Sequence, residues 1–255
     1  MSSHPAVPAR IGIDGCPAGW VAAHAHGVTV AEKLVDLLDS LGVVAGRDIV
    51  AIDMPIGLMD SGTRACDHAA RAALGGARRN SVFWTATRPA VWADAGHRSL
   101  REGHAQASEI NRQHGAGGVS AQAYNLFPKI REVETLLYER PALQASVYEV
   151  HPELAFAAWQ AEALGLSEDA LAPMAHAKKS GLGAHDRLAL IFDRYGRDGF
   201  EATRQSHRQG AVADDDIADA YAACYSAERI AAGRHITLPD PPPVDTAGLP
   251  VRICY

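Results

Sequence analysis

Carboxylates recur where apolar runs give out. Asp14 ends the apolar start of IGIDGCPAGW, Asp53 ends DIVAIDM, and Glu149 stands near the end of SVYEV, just before His151. Asp216 and Asp219 lie three positions apart in DDDIADAYAA, a spacing that puts both on one face of a helix. Burying a charge costs free energy unless it is paired or binds a metal. Carboxylates gathered from separate elements repel one another, and a divalent cation among them relieves that repulsion. Mg2+ or Mn2+ suits an all-oxygen set. Two such ions about 4 Å apart activate a water and stabilise the leaving oxygen in phosphodiester cleavage. The candidate metal ligands are therefore Asp14, Asp53, Asp216 and Asp219, with Glu149 as a further catalytic carboxylate. Their convergence is an expectation drawn from chemistry, since spacing does not impose it.

The elements that must position them follow from patterning. Residues 10–14, 20–26, 28–30, 48–54 and 146–150 read as strands. Residues 34–41, 63–74, 99–113, 154–164, 185–195 and 215–232 read as helices. Residues 121–138 read as a helix in two parts, interrupted at Pro128, and Gly75-Gly76 reads as a helix stop. The pattern predicts one α/β domain over residues 1–255, with a mostly helical insertion at 60–140 and an extended, proline-rich tail at 239–255. In open α/β sheets, ligands collect at the carboxyl ends of strands, which is where Asp14 and Asp53 fall.

Composition narrows the class. The chain is 47% hydrophobic and 21% charged, ordinary for a globular protein. No apolar run approaches the roughly 20 residues of a membrane span, so no membrane is expected as partner. The N-terminus shows no signal-peptide pattern, and Cys16, Cys66, Cys224 and Cys254 are scattered, so a reduced cytoplasmic protein is expected. The net charge of -6 argues against indiscriminate nucleic-acid binding. Yet between Arg64 and Arg131 ten basic residues face four acidic ones, a local surplus of six.

That surplus can form an anion-binding face or a solvated, salt-bridged helix surface. Arg64, Asp67 and Arg71 share one helical face and could be a phosphate grip, to which Arg88, Lys129 and the pair Lys178-Lys179 add charge. The candidate substrate-binding residues are Arg64, Arg71, Arg88, Lys129 and Lys179. His151, between Glu149 and Glu153, is open to three readings: proton donor, metal ligand or structural hydrogen-bonder. Cys16 and Cys66 read as buried small hydrophobes. Phe83, Trp84 and Tyr124 could stack on bases, with core packing as the default.

Eight segments, in order, carry a resemblance: IGIDGCPAGWV, AIDMPIGL, RACDHAARAALG, SVFWTATR, AQAYNLFPKIREVE, YEVHPELAF, KKSGLGAHDR and DDDIADAYAA. Together they resemble domain-of-unknown-function family 429, regarded as predicted nucleases with a ribonuclease H-like fold. The resemblance implies a mixed five-stranded sheet of order 3-2-1-4-5 with an antiparallel second strand, flanked by helices. It implies acids from the first strand, the fourth strand and the last helix, which Asp14, Asp53 and Asp219 match. It implies a metal-dependent nuclease or phosphodiesterase acting on nucleic acid or a nucleotide-like substrate. Two other classes fit such a sheet: an actin-like ATP-dependent phosphotransferase, which would need glycine-rich phosphate loops, and a non-catalytic binding module on a degenerate nuclease fold.

Overall fold

The computed structural model describes residues 7–93 and 99–255. The N-terminal MSSHPA, and Asp94 and Arg98 from the charge count, lie outside them. The chain runs β1 (Arg10–Cys16), β2 (Gly19–His24), β3 (Gly27–Ala31), α1 (Leu34–Ser40), β4 (Ile49–Ile52), α2 (Ala65–Arg78), α3 (Arg88–Val91), α4 (Leu100–Gln113), α5 (Ala121–Asn125) and α6 (Phe127–Glu139). It continues through β5 (Val147–Glu149), α7 (Pro152–Ala163), α8 (Gly181–Tyr195), α9 (Asp198–Ser206), α10 (Asp214–Ala231), β6 (Thr237–Leu238) and β7 (Ile253–Cys254). The five main strands form one sheet of order β3-β2-β1-β4-β5. β2 is antiparallel to β1 and β3, while β4 is parallel to β1 and β5. This is the arrangement expected of a ribonuclease H-like α/β fold.

Register decides which side chains can meet. Ile13 pairs with Ile52 across the parallel β1–β4 ladder, and the next rung is continued by the Asp53 N–H donating to the Ile13 carbonyl at 2.9 Å. Asp14 and Asp53, each one residue further on, are therefore neighbours on one face. Ile52 also pairs with Glu149. Successive side chains alternate between faces. Glu149 thus starts on the face of Ile13 and Ile52, opposite that of Asp14 and Asp53.

Each face has its own core. Ile11, Ile13, Trp20, Val50 and Ile52 pack with Leu34, Leu37 and Leu38 of α1 and with Phe127, Ile130 and Val133 of α6. On the other face, α10 lies across β1, β2 and β4. Its contact stripe is alanine-rich, and β1 answers with Gly12, where an added Cβ would stand 1.9 Å from Cys224 N and 2.2 Å from Ala220 O. No residue with a side chain fits there. Helix and strand therefore touch backbone to backbone, and Asp219 is brought down beside Asp14. Behind α10, Trp159 of α7 stacks on Tyr225 with ring centroids 4.8 Å apart.

Several local outcomes differ from the sequence reading. α2 loses helical geometry at Gly75 (φ 60) and Gly76, as a glycine stop requires, and then resumes one turn to Arg78. The break between α5 and α6 falls at Leu126 rather than Pro128, because proline is tolerated in the first turn of a helix. α9, whose pattern is weakly apolar, was not anticipated. Residues 239–255 do not run on as an extended tail. They turn at Asp245–Leu249 and return so that β7 pairs with β6 and Cys254 bridges Val150. Val251, Ile253, Cys254 and Tyr255 are buried there, which explains the return. Among the described residues, no helix is long and apolar enough to cross a membrane.

Candidate metal centre and its cleft

Oxygens of Asp14, Asp53 and Asp219 lie within 4.8 Å of one another, at the carboxyl ends of β1 and β4 and on the second turn of α10. The span across one octahedral Mg2+ is about 4.2 Å, so small side-chain rotations would bring all three onto a single ion. Asp14 and Asp219 are buried and Asp53 is half-buried. Asp14 Oδ1 accepts the Gly15 N–H at 2.7 Å. Asp219 Oδ1 is buried with no hydrogen-bond partner. A buried carboxylate with one orphaned oxygen, grouped with two further carboxylates, fits a hard cation.

Electrostatics point the same way. Burial raises the Asp14 carboxyl well above the usual range, and the charges of Asp53 and Asp219 raise it further. Burial and the Asp219 charge raise Asp53 likewise. Burial pushes Asp219 up to about 6, although Lys178 pulls it back. The Lys178 ammonium donates to Asp219 Oδ2 and stands 3.6 Å from Asp215. In the sequence Lys178 offers only diffuse positive charge beside Lys179. Its partner is 41 residues away, and nothing in KKSG signals that contact.

The triad lines a cleft of about 450 Å³ that also takes in Asp216, Glu149, His151, Lys179, Phe83 and Arg64. These candidates differ in what they are free to do. Asp216 Oδ2 accepts the Ala213 N–H at 2.8 Å, capping α10, and Asp216 is outside the group of oxygens within 4.8 Å of one another. Glu149 accepts two hydrogen bonds from Arg64, at 2.7 and 2.8 Å, and one from the Ile56 N–H at 2.7 Å. Burial pushes its carboxyl up to about 7 even with Arg64 pulling back. His151 Nδ1 accepts the Glu153 N–H at 3.2 Å at the start of α7, and burial holds the imidazole below its usual pKa. A neutral ring capping a helix is the structural reading of that residue.

The cations expected to grip phosphate have other partners. Arg64 is 2% exposed and is also bonded to Asp67 Oδ1 at 2.6 Å, so it serves an internal ion pair. Arg88 binds Glu134 and Asp245, each at 2.5 Å. Arg71 donates to the Val82 carbonyl and to Asn80 at 3.0 Å, with its guanidinium 4.5 Å from the Trp84 ring centroid. Lys129 donates to the Gly19 carbonyl and lies 4.4 Å from the Trp20 ring centroid. Arg71, Arg88 and Lys129 do not line the cleft, whereas Lys179 lines it and is exposed. Glu134, Asp245 and Glu149, which lie outside the stretch from Arg64 to Arg131, thus offset half of its surplus of six by pairing with Arg64 and Arg88. Arg78, unremarked in the sequence, also lines the cleft.

Phe83 lines the cleft, while Trp84 packs at a tilt against His68 at 4.5 Å and Tyr124 packs edge-on against Phe127 at 5.2 Å. Cys16 and Cys66 are buried, and burial pushes the Cys16 thiol up to about 11 and Cys66 higher still, which suits small core residues.

Residues 12–244 match the family described as "Protein of unknown function (DUF429)". No curated protein and no solved structure matches the chain. With its first matched residue inside β1 and its last beyond α10, the match takes in every member of the acid triad, and the chain belongs to the DUF429 family.

Proposed function

We propose that this protein is a metal-dependent phosphodiesterase, a nuclease in the broad sense, acting on nucleic acid or a nucleotide-like substrate. One observation carries the reading: the partnerless Asp219 oxygen, buried among the carboxylates of Asp14 and Asp53 at the floor of an open cleft. These three residues would hold Mg2+ or Mn2+. When bound, the metal supplies an activated water and charge stabilisation at the leaving oxygen.

The chain's own residues do the rest. Asp216, by capping α10, fixes the angle at which Asp219 enters the site. The Arg64–Glu149–Asp67 network holds the β5 end, the loop after β4 and the start of α2 together as the cleft wall. Lys179, exposed at the rim, is placed to meet a phosphate from solvent. His151 keeps α7 in place. We take residues 60–140 as an insertion that walls the cleft within a single domain. Four unpaired, buried thiols favour a reducing, cytoplasmic location.

The test is a cleavage assay on single-stranded and duplex DNA and RNA and on bis(p-nitrophenyl) phosphate, with Mg2+, Mn2+, Ca2+ or chelator. Activity that needs Mg2+ or Mn2+ and is abolished in both Asp14→Asn and Asp219→Asn supports the proposal. Metal-independent activity, or activity that survives both substitutions, refutes it.

A further inference from the structure

Among the described residues, Lys178 is the cation that pairs with a member of the triad. Its ammonium bonds Asp219 Oδ2, the partner of the orphaned Oδ1, and lies 3.6 Å from Asp215. The oxygen left open to a divalent ion is Oδ1, so the ion would stand across a single carboxylate from the ammonium on Oδ2. Two positive charges that close repel strongly in a site this buried. One must give way. Lys178 is built to do so: it belongs to the irregular segment between α7 and α8, and its side chain is 30% exposed toward the cleft. Turning its ammonium away breaks no helix or strand hydrogen bond.

We infer that Lys178 is the stand-in cation of the acid triad, released from Asp219 by a divalent ion and then turned onto a phosphate of the substrate. The inference rests on the phosphodiesterase reading and adds a residue to it. A lysine held by a carboxylate until metal arrives keeps the triad from carrying three uncompensated charges. Once released, its charge remains in the cleft, where the neighbouring anion is Asp215, 39% exposed and well solvated. A substrate phosphodiester offers two non-bridging oxygens that share its charge, and an ammonium donates charge-assisted hydrogen bonds to them. Lysine suits this exchange better than arginine, because it binds as a point charge on a flexible stem.

The test reads metal affinity, which an activity assay alone does not separate. Metal-stripped full-length protein and its Lys178→Met variant are titrated with Mn2+ alone by calorimetry at fixed ionic strength. Removing the competing charge should tighten Mn2+ binding by about tenfold or more. Hydrolysis of bis(p-nitrophenyl) phosphate at saturating Mn2+ should fall. Opposite signs for affinity and turnover are the signature. A folded variant with unchanged or weaker Mn2+ binding overturns the inference and makes Lys178 a prop for Asp219, and tighter metal with undiminished hydrolysis overturns its phosphate half.

A second measurement needs no substitution. Acetylation by an amine-reactive ester, read by peptide mass spectrometry, should increase at Lys178 when Mn2+ is added to the parent protein and stay level at the exposed Lys179. Equal or lower Lys178 labelling overturns the inference. Absence of Mn2+ binding by both parent and variant is a different failure, since it removes the metal reading itself.

Discussion

Gly12→Ala should damage the site from a distance of two residues without touching any carboxylate. The new Cβ would stand 1.9 Å from Cys224 N and 2.2 Å from Ala220 O. Carbon–heavy-atom contacts settle at about 3.5–4.0 Å, so α10 must retreat by about 1.5 Å. Both obstructing atoms are backbone, and no rotamer change relieves them. Retreat is resisted by Tyr221 and Tyr225, buried among Trp159 and Tyr195 on the far side of the helix. Overpacking costs about 1–3 kcal/mol, and this geometry belongs at the upper end. For a chain of this size about 3 kcal/mol is a fall of about 6–12 °C in Tm.

Asp219 is the residue before Ala220 and moves with it, so the oxygens that lie within 4.8 Å would separate and Mn2+ would no longer stabilise the protein. Urea unfolding with Mn2+ and with chelator measures both effects. Gly210→Ala is the control, since a Cβ there meets nothing within 4 Å. A Gly12→Ala protein with parental stability and a full Mn2+ response would show that α10 does not owe its position to this contact.

Other perturbations separate the parts of the site. Mn2+ at about 100 times its Kd should stabilise the parent by about 2.7 kcal/mol, read as a Tm rise. Asp14→Asn and Asp219→Asn should abolish that rise, while Asp216→Ala should keep it and lose about 1 kcal/mol of helix capping. Arg64→Met leaves Glu149 and Asp67 buried without their cation and should cost about 3–5 kcal/mol in urea unfolding; near-parental stability together with weakened substrate binding would return Arg64 to phosphate gripping. Asp48 carries the acid-side prediction. Hydrogen bonding from Arg47 first, and from the Val44 and Ala9 N–H groups, lowers its pKa from 3.8 to about 2. The unfolded chain then takes up the proton first as pH falls, so the contribution is full above about pH 4 and is lost toward pH 2. Asp48→Asn should lower stability at neutral pH and flatten that acid limb in a pH series of unfolding curves. An unchanged limb would remove Asp48 from the account.

Much of this was legible because strand ends are legible. An apolar run that stops on an acid marks where a strand leaves the core, and two parallel strands stop on the same side of a sheet. That signal put Asp14 and Asp53 at one end of the sheet but not on one face, and the alanine-rich stripe of α10 showed how Asp219 could come close. Glu149 looks identical in sequence, another acid at the end of another strand. It differs by one residue of register, and one residue of register is a change of face. Parity between β4 and β5 is set by how the long, helix-containing connection from Ile52 to Val147 closes, and no local pattern reports it. The basic residues failed to be read for a related reason. Counting Arg64 to Arg131 as a surplus ignored Glu134, Asp245 and Glu149, which the fold delivers from outside the window.

The same parity explains why two buried acid–cation systems can sit side by side with opposite characters. On the Ile52 face, Glu149 accepts two hydrogen bonds from Arg64 and one from a backbone N–H, so both of its oxygens have donors. Such a pair is satisfied and would gain little from a metal. On the Asp14 face, three carboxylates share one lysine on an irregular segment, and one buried oxygen has no donor. Burial first raises the carboxyl pKa values of Asp14, Asp53 and Asp219, as it does that of Glu149, and neighbouring carboxylates raise Asp14 and Asp53 further. Relaxation of the fold could remove that shortage of donors by bringing up a second arginine, as it did one register step away. That it stands uncorrected, at the floor of the cleft, is the physical reason for reading the Asp14 face as the site and the Glu149 face as its wall.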